Sequence, residues 1–256
     1  MKAKTVLITG ATSGIGKATA KKFAKAGYNL IITGRRKEKL EQYAEKLATK
    51  YVVKVLPLAF DLRKVSEVKK AIKSLGKSWV KIDILINNAG LAKGFDPIHE
   101  GHIEDWELMI DTNLKGLLYM TRMIAPKMVK AKSGHIINVA STAGKEVYPN
   151  GNVYCASKHA VDALTKAMRI DLYKHGIRVG QVAPGHVEST EFALVRFDGD
   201  REKSKIYDDF VPTNSKDIAN VIYFMASQPA HVNIQDILVM GTQQASSLFI
   251  NRSGRN

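Results

Sequence analysis

The stretch TVLITGATSGIG, residues 5–16, joins an apolar run of strand length to a turn of glycine and small residues. The amphipathic segment that follows predicts a helix over residues 16–26. Glycines in such a turn permit a tight bend, close backbone approach to a pyrophosphate and close helix packing. The helix N-terminus adds free N–H groups. The stretch therefore predicts a first strand and helix that bind a dinucleotide, against the alternative of a turn of small residues with no ligand. The residues expected to contact it are Gly10, Ala11, Thr12, Ser13, Gly14, Ile15 and Gly16.

Strand-length apolar runs alternate with amphipathic segments along the rest of the chain. The predicted strands are Thr5–Thr9, Asn29–Thr33, Val52–Ala59, Ile82–Asn87, Gly134–Val139, Ile177–Ala183 and Asp236–Met240. The predicted helices include Gly16–Ala26, Lys37–Lys50, Ser66–Leu75, Ile103–Lys130 and Val153–His175. Apolar runs without alternation are typical of parallel strands buried on both faces. We therefore expect an α/β fold, a single-domain, Rossmann-like doubly wound parallel sheet of seven strands with helices on both faces. The domain would span residues 1–250, with a substrate lid at 192–213 and a polar tail at 251–256.

The composition indicates the class of protein and the cellular compartment to expect. With 256 residues and 45% hydrophobic content, the chain can bury one sizeable core. No apolar run approaches the roughly 18 residues that span a bilayer, and the N-terminal apolar stretch is too short for a signal peptide. Cys155 is the only cysteine, so no intrachain disulfide can form, and we expect a cytoplasmic protein. The seven histidines show no metal-ligand spacing, so no metal site is predicted.

The net charge of +15 admits two interpretations. A basic domain can bind nucleic acid. The alternative is a solvated, lysine-rich surface whose field attracts an anionic cofactor and substrate. The lysines are spread at helix-face spacing and form no basic tail, so we expect no nucleic-acid partner and no membrane partner.

Two arginines follow the second predicted strand. NAD-binding proteins usually place an acidic residue here for the ribose 2′-hydroxyl, whereas this chain has Gly34-Arg35-Arg36. Guanidinium groups bind phosphate with charge-assisted hydrogen bonds. The sequence therefore favours NADP(H) as the cofactor, against the alternative that Arg35 and Arg36 are surface residues at a helix start.

A phenol and an ammonium lie one helical turn apart. Tyr154 and Lys158 share a helix face, and we expect the positive charge of Lys158, together with that of an oxidised nicotinamide, to lower the pKa of Tyr154. Ser141 follows the fifth strand at the edge where ligands bind in such sheets. Asn88 follows the fourth strand, and Asn113 lies inside a helix that asparagine does not favour. These residues predict an acid–base centre.

Together these residues carry a resemblance to a known family. TGATSGIG (9–16), NNAG (87–90), Asn113, Ser141, YCASK (154–158) and Pro184-Gly185 resemble the short-chain dehydrogenase/reductase superfamily over essentially the whole chain. DILINNAGLAKG, ELMIDTNLKGLLYMTR, STAG, GNVYCASK, STEFALVRF and TQQAS are more closely similar to the NADP-dependent 3-hydroxy acid dehydrogenases. That subfamily is also described as serine or L-allo-threonine dehydrogenases and malonic semialdehyde reductases.

The resemblance implies a role for each matching residue. Tyr154 would be the general acid and base, Lys158 would lower its pKa and bind the nicotinamide ribose, and Ser141 would orient the substrate oxygen. Asn113 would hold a water that links Lys158 to solvent. Asp61 and Leu62 would contact the adenine, and Asn88 the adenosine side. The segment expected at the nicotinamide contributes Pro184, Gly185, Val187, Ser189 and Thr190. The family generally forms tetramers, so a homotetramer, or else a homodimer, is expected. His186 departs from the family, which usually has an apolar residue there.

The expected activity is NADP(H)-dependent hydride transfer to or from a small 3-hydroxy acid or its carbonyl form, such as L-serine, L-allo-threonine or the 3-hydroxypropionate and malonic semialdehyde pair. One alternative is a 3-oxoacyl or general carbonyl reductase, but the chain ends its last strand Met240-Gly241-Thr242 without the Gly-Gly of those reductases. Another is a non-catalytic NADP-binding regulator, which typically lacks the tyrosine or lysine.

The predicted lid carries one arginine of special interest. Arg196 would bind the substrate carboxylate, since a guanidinium stays charged when water leaves and matches a carboxylate bidentately. The alternative is a surface arginine paired with Asp198, Asp200 or Glu191.

Overall fold

Seven parallel strands form the central sheet of the computed structural model, which describes residues 3–255. Met1, Lys2 and Asn256, which the predicted domain and tail include, lie outside the described residues. The strands of the chain are β1 (Thr5–Ile8), β2 (Asn29–Gly34), β3 (Val55–Ala59), β4 (Ile84–Asn87), β5 (Gly134–Val139), β6 (Ile177–Pro184), β7 (Val187–Glu188), β8 (Thr213–Asn214) and β9 (Asp236–Val239). The central sheet has the order β3-β2-β1-β4-β5-β6-β9, while β7 and β8 form a separate short parallel pair. The predicted doubly wound parallel sheet is confirmed.

Helices cover both faces of this sheet. They are α1 (Gly14–Lys25), α2 (Lys37–Tyr51), α3 (Val65–Lys73), α4 (Ile103–Ile110), α5 (Gly116–Ala131), α6 (Asn152–Leu172), α7 (Phe192–Arg196) and α8 (Ser215–Ser227). One hydrophobic cluster packs α1, α2 and α8 against the sheet, and a second packs α3, α5 and α6 against the other face. Successive strand residues point to opposite faces, so Val6 and Ile8 lie in the first cluster and Leu7 in the second. Burial on both faces explains why the strands are apolar without alternation.

Several predicted elements end one or two residues from their observed limits, and two differ more than that. The third strand begins at Val55 and not at Val52, because Val52 ends α2 in a left-handed conformation with φ of 54° and is 92% exposed. The single helix predicted over 103–130 is interrupted by a π-helical turn at Asp111–Lys115, which separates α4 from α5. Such turns insert an extra residue and shift the side chains that follow, and Asn113 lies at the centre of this one.

The strand order places a crevice between β1 and β4. The chain runs outward from β1 through β2 and β3, then returns to pair β4 with the other side of β1. Where the strand order reverses in this way, the loops after the two strands diverge and leave room for a ligand at their carboxyl ends.

The C-terminal residues pack against the segment that we expected to be a lid. Arg252 forms an ion pair of 2.6 Å with Asp209, and its guanidinium lies 5.4 Å from the ring centre of Phe210, which is fully buried. Arg255 donates to the carbonyl of Tyr207 at 3.1 Å. The tail therefore helps to hold residues 207–210 in place.

Candidate active site

Glycine is required at two positions, one in the turn after β1 and one in the first turn of α1. Gly10 has φ of +68°, and a Cβ there would lie 2.9 Å from the Cα of Ala89. A Cβ on Gly16 would lie 2.3 Å from the carbonyl oxygen of Gly10. The turn can therefore bring its backbone close to a ligand while α1 packs tightly behind it.

The N-terminus of α1 opens into the crevice. The helix begins at Gly14, and the Ser13 side chain at its N-cap makes no capping hydrogen bond to the helix. The N–H groups of the first turn are therefore available to an anion, with the positive end of the helix dipole behind them. This arrangement of glycines and open N–H groups fits the pyrophosphate of a dinucleotide.

Asn88 supports the turn from the neighbouring strand. Its side-chain amide donates to the carbonyl oxygens of Thr9 at 2.9 Å and Gly10 at 3.2 Å. The Thr9 hydroxyl in turn accepts from the backbone N–H groups of Asn88 and Ala89, each at 3.0 Å. Asn88 lines the cavity, but its side chain also fixes the shape of the glycine-rich turn.

The two arginines after β2 are not equivalent. Arg36 donates to the Thr12 hydroxyl at 2.8 Å and pairs with the Glu191 carboxylate, also at 2.8 Å. Arg35 is exposed and makes no hydrogen bond to any residue within the described part of the chain. Both line the cavity, but within residues 3–255 only Arg35 of the two has no other partner.

Arg63 is a third arginine at this end, and the sequence did not single it out. It pairs with Asp61 at 2.5 Å, and its hydrogen bonds hold the pKa of that carboxyl below its usual value. Asp61 and the adjacent Leu62 both line the cavity, where an adenine would lie.

The predicted acid–base residues meet at the opposite end of the same cavity. Tyr154 and Lys158 of α6 are both buried, with the Lys158 ammonium 5.9 Å from the centre of the Tyr154 ring. The ammonium donates to the Val139 carbonyl at 3.1 Å. Ser141, at the start of a short 3₁₀ turn after β5, accepts from the Ala143 N–H at 3.1 Å. These three side chains can position one substrate oxygen and exchange a proton with it.

Burial controls the protonation of this centre. It raises the pKa of Tyr154 above the ordinary value, although the Ser141 hydroxyl and the charge of Arg196 act in the opposite direction. Burial also lowers the pKa of Lys158 to about 8. The lowering of the Tyr154 pKa that we expect from Lys158 together with the charge of an oxidised nicotinamide stays a prediction.

Asn113 lies behind the cavity and not in its wall. Its side-chain oxygen accepts from the N–H of Leu91 at 2.8 Å, and its amide donates to the carbonyl of Leu91 at 2.8 Å and to the Ser157 hydroxyl at 3.0 Å. The side chain thus anchors the loop after β4 to α6. Its role in holding a water next to Lys158 stays a prediction.

A single cavity of about 790 Å³ joins the two ends. Most of the predicted site residues line it: Gly10, Thr12, Ser13, Gly14, Ile15, Arg35, Arg36, Asp61, Leu62, Asn88, Ser141, Tyr154, Lys158, Pro184, Gly185, Val187, Thr190 and Arg196. Four predicted residues lie outside its lining: Ala11, Gly16, Asn113 and Ser189. Ala11 and Gly16 are buried within the turn and α1, and Ser189 faces a neighbouring surface pocket.

Arg196 is buried, at 6% exposure, and does not pair with a carboxylate among the described residues. Its Nε donates to the Gly94 carbonyl at 3.3 Å and its Nη1 to the Tyr148 hydroxyl at 3.1 Å. The guanidinium also lies 4.5 Å from the ring centre of Phe95. The alternative of a surface arginine paired with Asp198, Asp200 or Glu191 is wrong, because Glu191 pairs with Arg36, and Asp198 with Lys93.

Several lining residues were missed by the sequence analysis. Tyr148 and Tyr207 approach the site from loops with no recognised motif. The C-terminal segment adds Ser247, Leu248, Ile250 and Arg252. Only the fold brings these residues to the cavity, so motif spacing could not identify them.

Across positions 3–255, no cluster of three or more His, Cys, Asp or Glu side chains is arranged to hold a metal ion. Over the same range, no helix combines the length and apolar character that crossing a membrane requires.

Comparison with known proteins agrees with this geometry. The family model described as short chain dehydrogenase matches residues 4–199. The chain is 44% identical over 250 residues to the NADP-dependent 3-hydroxy acid dehydrogenase YdfG of Salmonella typhi, covering 97% of this chain and 99% of that protein. It is also 44% identical over 246 residues to sulfoacetaldehyde reductase 2 of Chromohalobacter salexigens, covering 95% of this chain and 96% of that protein. Among solved structures, the closed form of serine dehydrogenase complexed with NADP⁺ superposes with a TM-score of 0.91 at 41% identity, covering 95% of this chain and 97% of that one.

Proposed function

The chain belongs to the short-chain dehydrogenase family, and we propose that it is an NADP(H)-dependent oxidoreductase acting on a small 3-hydroxy acid or its carbonyl form. One observation carries this proposal. A single cavity contains the glycine-rich turn at one end and, at the other, Ser141, Tyr154 and Lys158 beside an arginine that lacks an acidic partner. The relatives named for 3-hydroxy acid and serine dehydrogenation support the same substrate class.

The residues at the cofactor end would hold NADP(H) along the crevice. The N-terminus of α1 would bind the pyrophosphate, and Arg35 and Arg36 the 2′-phosphate. When bound, the cofactor supplies or accepts the hydride, which is chemistry that no side chain can provide.

Residues of α6 and of the turn after β5 would orient the substrate oxygen and transfer the proton. In the reductive direction, Ser141 orients the carbonyl oxygen and the Tyr154 hydroxyl donates its proton to that oxygen. Lys158 then stabilises the phenolate that remains, because its ammonium is held close to the ring by the Val139 carbonyl. In the oxidative direction the proton moves from the substrate hydroxyl to Tyr154.

Arg196 would bind the acidic group of the substrate. A buried guanidinium without an acidic partner is costly, and an anionic ligand would compensate that charge. A second candidate substrate is a sulfo-aldehyde, since a guanidinium binds a sulfonate as well as a carboxylate and one relative carries the name sulfoacetaldehyde reductase. We also propose that residues 192–213 form a lid over this end of the cavity, to which they contribute Arg196 and Tyr207.

We further propose a homotetramer in the cytoplasm. Apolar side chains stand exposed on α4, α5 and α6, where a second subunit would cover them: Ile103, Ile110, Leu118 and Ile170. The cytoplasmic assignment rests on Cys155 being the only cysteine. Light scattering after size-exclusion chromatography measures the number of subunits, and a monomer would contradict the tetramer.

A substrate panel tests the proposed activity. Reduction of NADP⁺ is followed with L-serine, L-allo-threonine, 3-hydroxypropionate, 3-hydroxyisobutyrate, 2-hydroxyethanesulfonate and simple secondary alcohols. We expect kcat/KM to be highest with one of the hydroxy acids. Oxidation of the alcohols alone would contradict the substrate class, and preference for the sulfonate would select the second candidate.

A further inference from the structure

The ring of His186 forms part of the cavity wall next to the predicted substrate end. It follows Pro184-Gly185 at the end of β6 and is partly buried. The ring packs edge-on against Tyr207 and Phe210, with ring centres 5.6 Å apart in each case. These contacts hold the imidazole in one orientation, so its nitrogen atoms have fixed directions.

Gln244 determines which nitrogen of His186 carries the proton. The backbone N–H of His186 can only donate, and the Gln244 oxygen that accepts from it lies 2.9 Å away. The Gln244 nitrogen must then face His186 Nδ1, at 2.7 Å. An amide nitrogen can only donate, so Nδ1 is the acceptor. Burial lowers the pKa of His186; the hydrogen bond to Gln244 acts in the opposite direction, and the charges of Arg252 and Arg196 lower the pKa further, so the net shift favours the neutral ring. The single ring proton therefore lies on Nε2.

This Nε2–H has no acceptor in the described part of the chain. Within residues 3–255 it makes no hydrogen bond, and Nε2 is not among the polar atoms sealed away from solvent. Because His186 lines the cavity, the free donor is open to a ligand there.

The charges around the cavity favour an anionic acceptor. Its lining includes two carboxylates, Asp61 and Glu191, and each is already paired with an arginine at the adenosine end. At the other end, Arg196 donates from Nε to the Gly94 carbonyl and from Nη1 to the Tyr148 hydroxyl, and within residues 3–255 its remaining N–H groups, on Nη1 and Nη2, have no hydrogen-bond partner. Each oxygen of a carboxylate accepts more than one hydrogen bond, so an anion that binds Arg196 can also accept from a second, neighbouring donor.

We propose that the Nε2–H of His186 donates a hydrogen bond to the acidic group of the substrate, beside Arg196, and that His186 is thereby a specificity-determining residue. The inference rests on the proposed function, since it requires an acidic substrate. Gln244 is the corresponding positioning residue, because its side chain fixes the tautomer that makes Nε2 a donor.

Two substitutions separate the hydrogen bond from ring packing. His186→Phe keeps an aromatic ring against Tyr207 and Phe210 but has no donor, whereas His186→Gln restores an N–H donor at a similar reach. With NADP⁺ bound, we expect His186→Phe to lower kcat/KM for 3-hydroxypropionate about ten- to a hundredfold, mainly through KM, as is typical for a lost hydrogen bond to a charged group. The inhibition constant of propionate should rise by a similar factor. His186→Gln should recover most of both losses.

The matched neutral substrate is 1-propanol, which has a methyl group in place of the carboxylate. We expect the ratio of kcat/KM for acid to alcohol to fall in His186→Phe. If the wild-type enzyme oxidises the acid and the acid-to-alcohol ratio is unchanged in His186→Phe, the inference is overturned and the proposed function is left intact. A wild-type enzyme that oxidises only the alcohol overturns both.

Nitrogen-15 NMR of histidine-labelled protein tests the tautomer directly. The His186 signals are identified by their loss in His186→Phe. We expect an unprotonated Nδ1, a protonated Nε2, and a shift of the Nε2–H signal when propionate joins the NADP⁺ complex. A proton on Nδ1, or no response to propionate, overturns the proposal.

Discussion

Glu191 and Arg36 form an ion pair at the adenosine end of the cavity, with carboxylate and guanidinium atoms 2.8 Å apart. A 2′-phosphate bound there would need the same guanidinium. Glu191 immediately precedes α7, which carries Arg196, so the ion pair joins the residue before the predicted lid to the predicted phosphate site.

Neutralising Glu191 should strengthen NADP⁺ binding. In Glu191→Gln the charge that competes for Arg36 is gone, and a half-exposed ion pair contributes about 0.2–1 kcal/mol. We expect KM for NADP⁺ to fall by about two- to fivefold. KM for NAD⁺, which has no 2′-phosphate, should not change. Steady-state kinetics with both cofactors measures this, with Glu202→Gln, an exposed position, as the control. A fall in KM for both cofactors would mean that Glu191 does not act through the phosphate.

Removing either arginine should weaken NADP⁺ selectively. Charge-assisted hydrogen bonds contribute roughly 1.5–3 kcal/mol, so Arg35→Ser and Arg36→Ser should each lower kcat/KM for NADP⁺ about ten- to a hundredfold. Arg35 is the sharper test because it has no other partner to lose within the described chain. Lys37→Ser, which removes an adjacent exposed charge, should have little effect. If the preference for NADP⁺ over NAD⁺ survives both arginine variants, the 2′-phosphate is bound elsewhere.

Tyr154→Phe should abolish most turnover while leaving the cofactor site intact. General acid–base catalysis typically contributes about 100- to 10,000-fold, and the variant removes the only atom that exchanges the proton. The expected result is a fall in kcat of that size with an unchanged Kd for NADPH in a fluorescence titration. Tyr173→Phe, at an exposed tyrosine, is the matched control. A Tyr154→Phe enzyme with half the original kcat would remove this residue from the mechanism.

Arg196→Leu should discriminate between charged and neutral substrates. Loss of the buried cation should raise KM for a 3-hydroxy acid about ten- to a hundredfold and leave a secondary alcohol of similar size nearly unaffected. Arg201→Leu, at an exposed lid arginine, should affect neither substrate. Equal losses on both substrates would mean that Arg196 only stabilises the lid, through its hydrogen bonds to Gly94 and Tyr148.

His135 should make the protein less stable in acid. It is 1% exposed on β5, neither ring nitrogen has a hydrogen-bond partner in the described chain, and burial lowers its pKa to about 3. An unfolded histidine titrates near 6.5, so between these values only the unfolded state binds the proton. Stability is therefore complete above about pH 6.5 and declines as the pH falls towards 3.

His135→Leu should remove this acid sensitivity. We expect its free energy of unfolding to rise by about 1–3 kcal/mol at pH 7, because two unpaired polar atoms leave the core. The gain should be about 2 kcal/mol larger at pH 5, where protonation favours the unfolded wild type. Urea denaturation at both values measures the difference, and His99→Leu, at an exposed histidine, is the control. The same gain at both pH values would contradict the low pKa.

Local sequence patterns were sufficient to predict many residues of the candidate site. The glycine-rich turn depends on steric limits within a few residues, so Gly10 and Gly16 could be identified from spacing alone. Tyr154 and Lys158 share a face because any helix brings residues i and i+4 together. The sequence placed Ser141 and Asn88 at the same sheet edge because the carboxyl ends of parallel strands coincide there. The ends of the strands were predicted less accurately, since the left-handed conformation of Val52 cannot be inferred from its apolar side chain.

The sequence by itself determined the parallel α/β fold, the dinucleotide turn and the residues of the acid–base centre, because each follows from short-range periodicity or spacing. Only the tertiary structure decided that Arg36 pairs with Glu191, 155 positions away, while Arg35 has no partner among the described residues. It also decided that Arg196 is buried without an acidic partner in that part of the chain, and that Gln244, 58 positions from His186, fixes the proton of that imidazole. The physical reason is that charge pairing, desolvation and tautomer depend on neighbours in space, and packing brings those neighbours from distant parts of the chain.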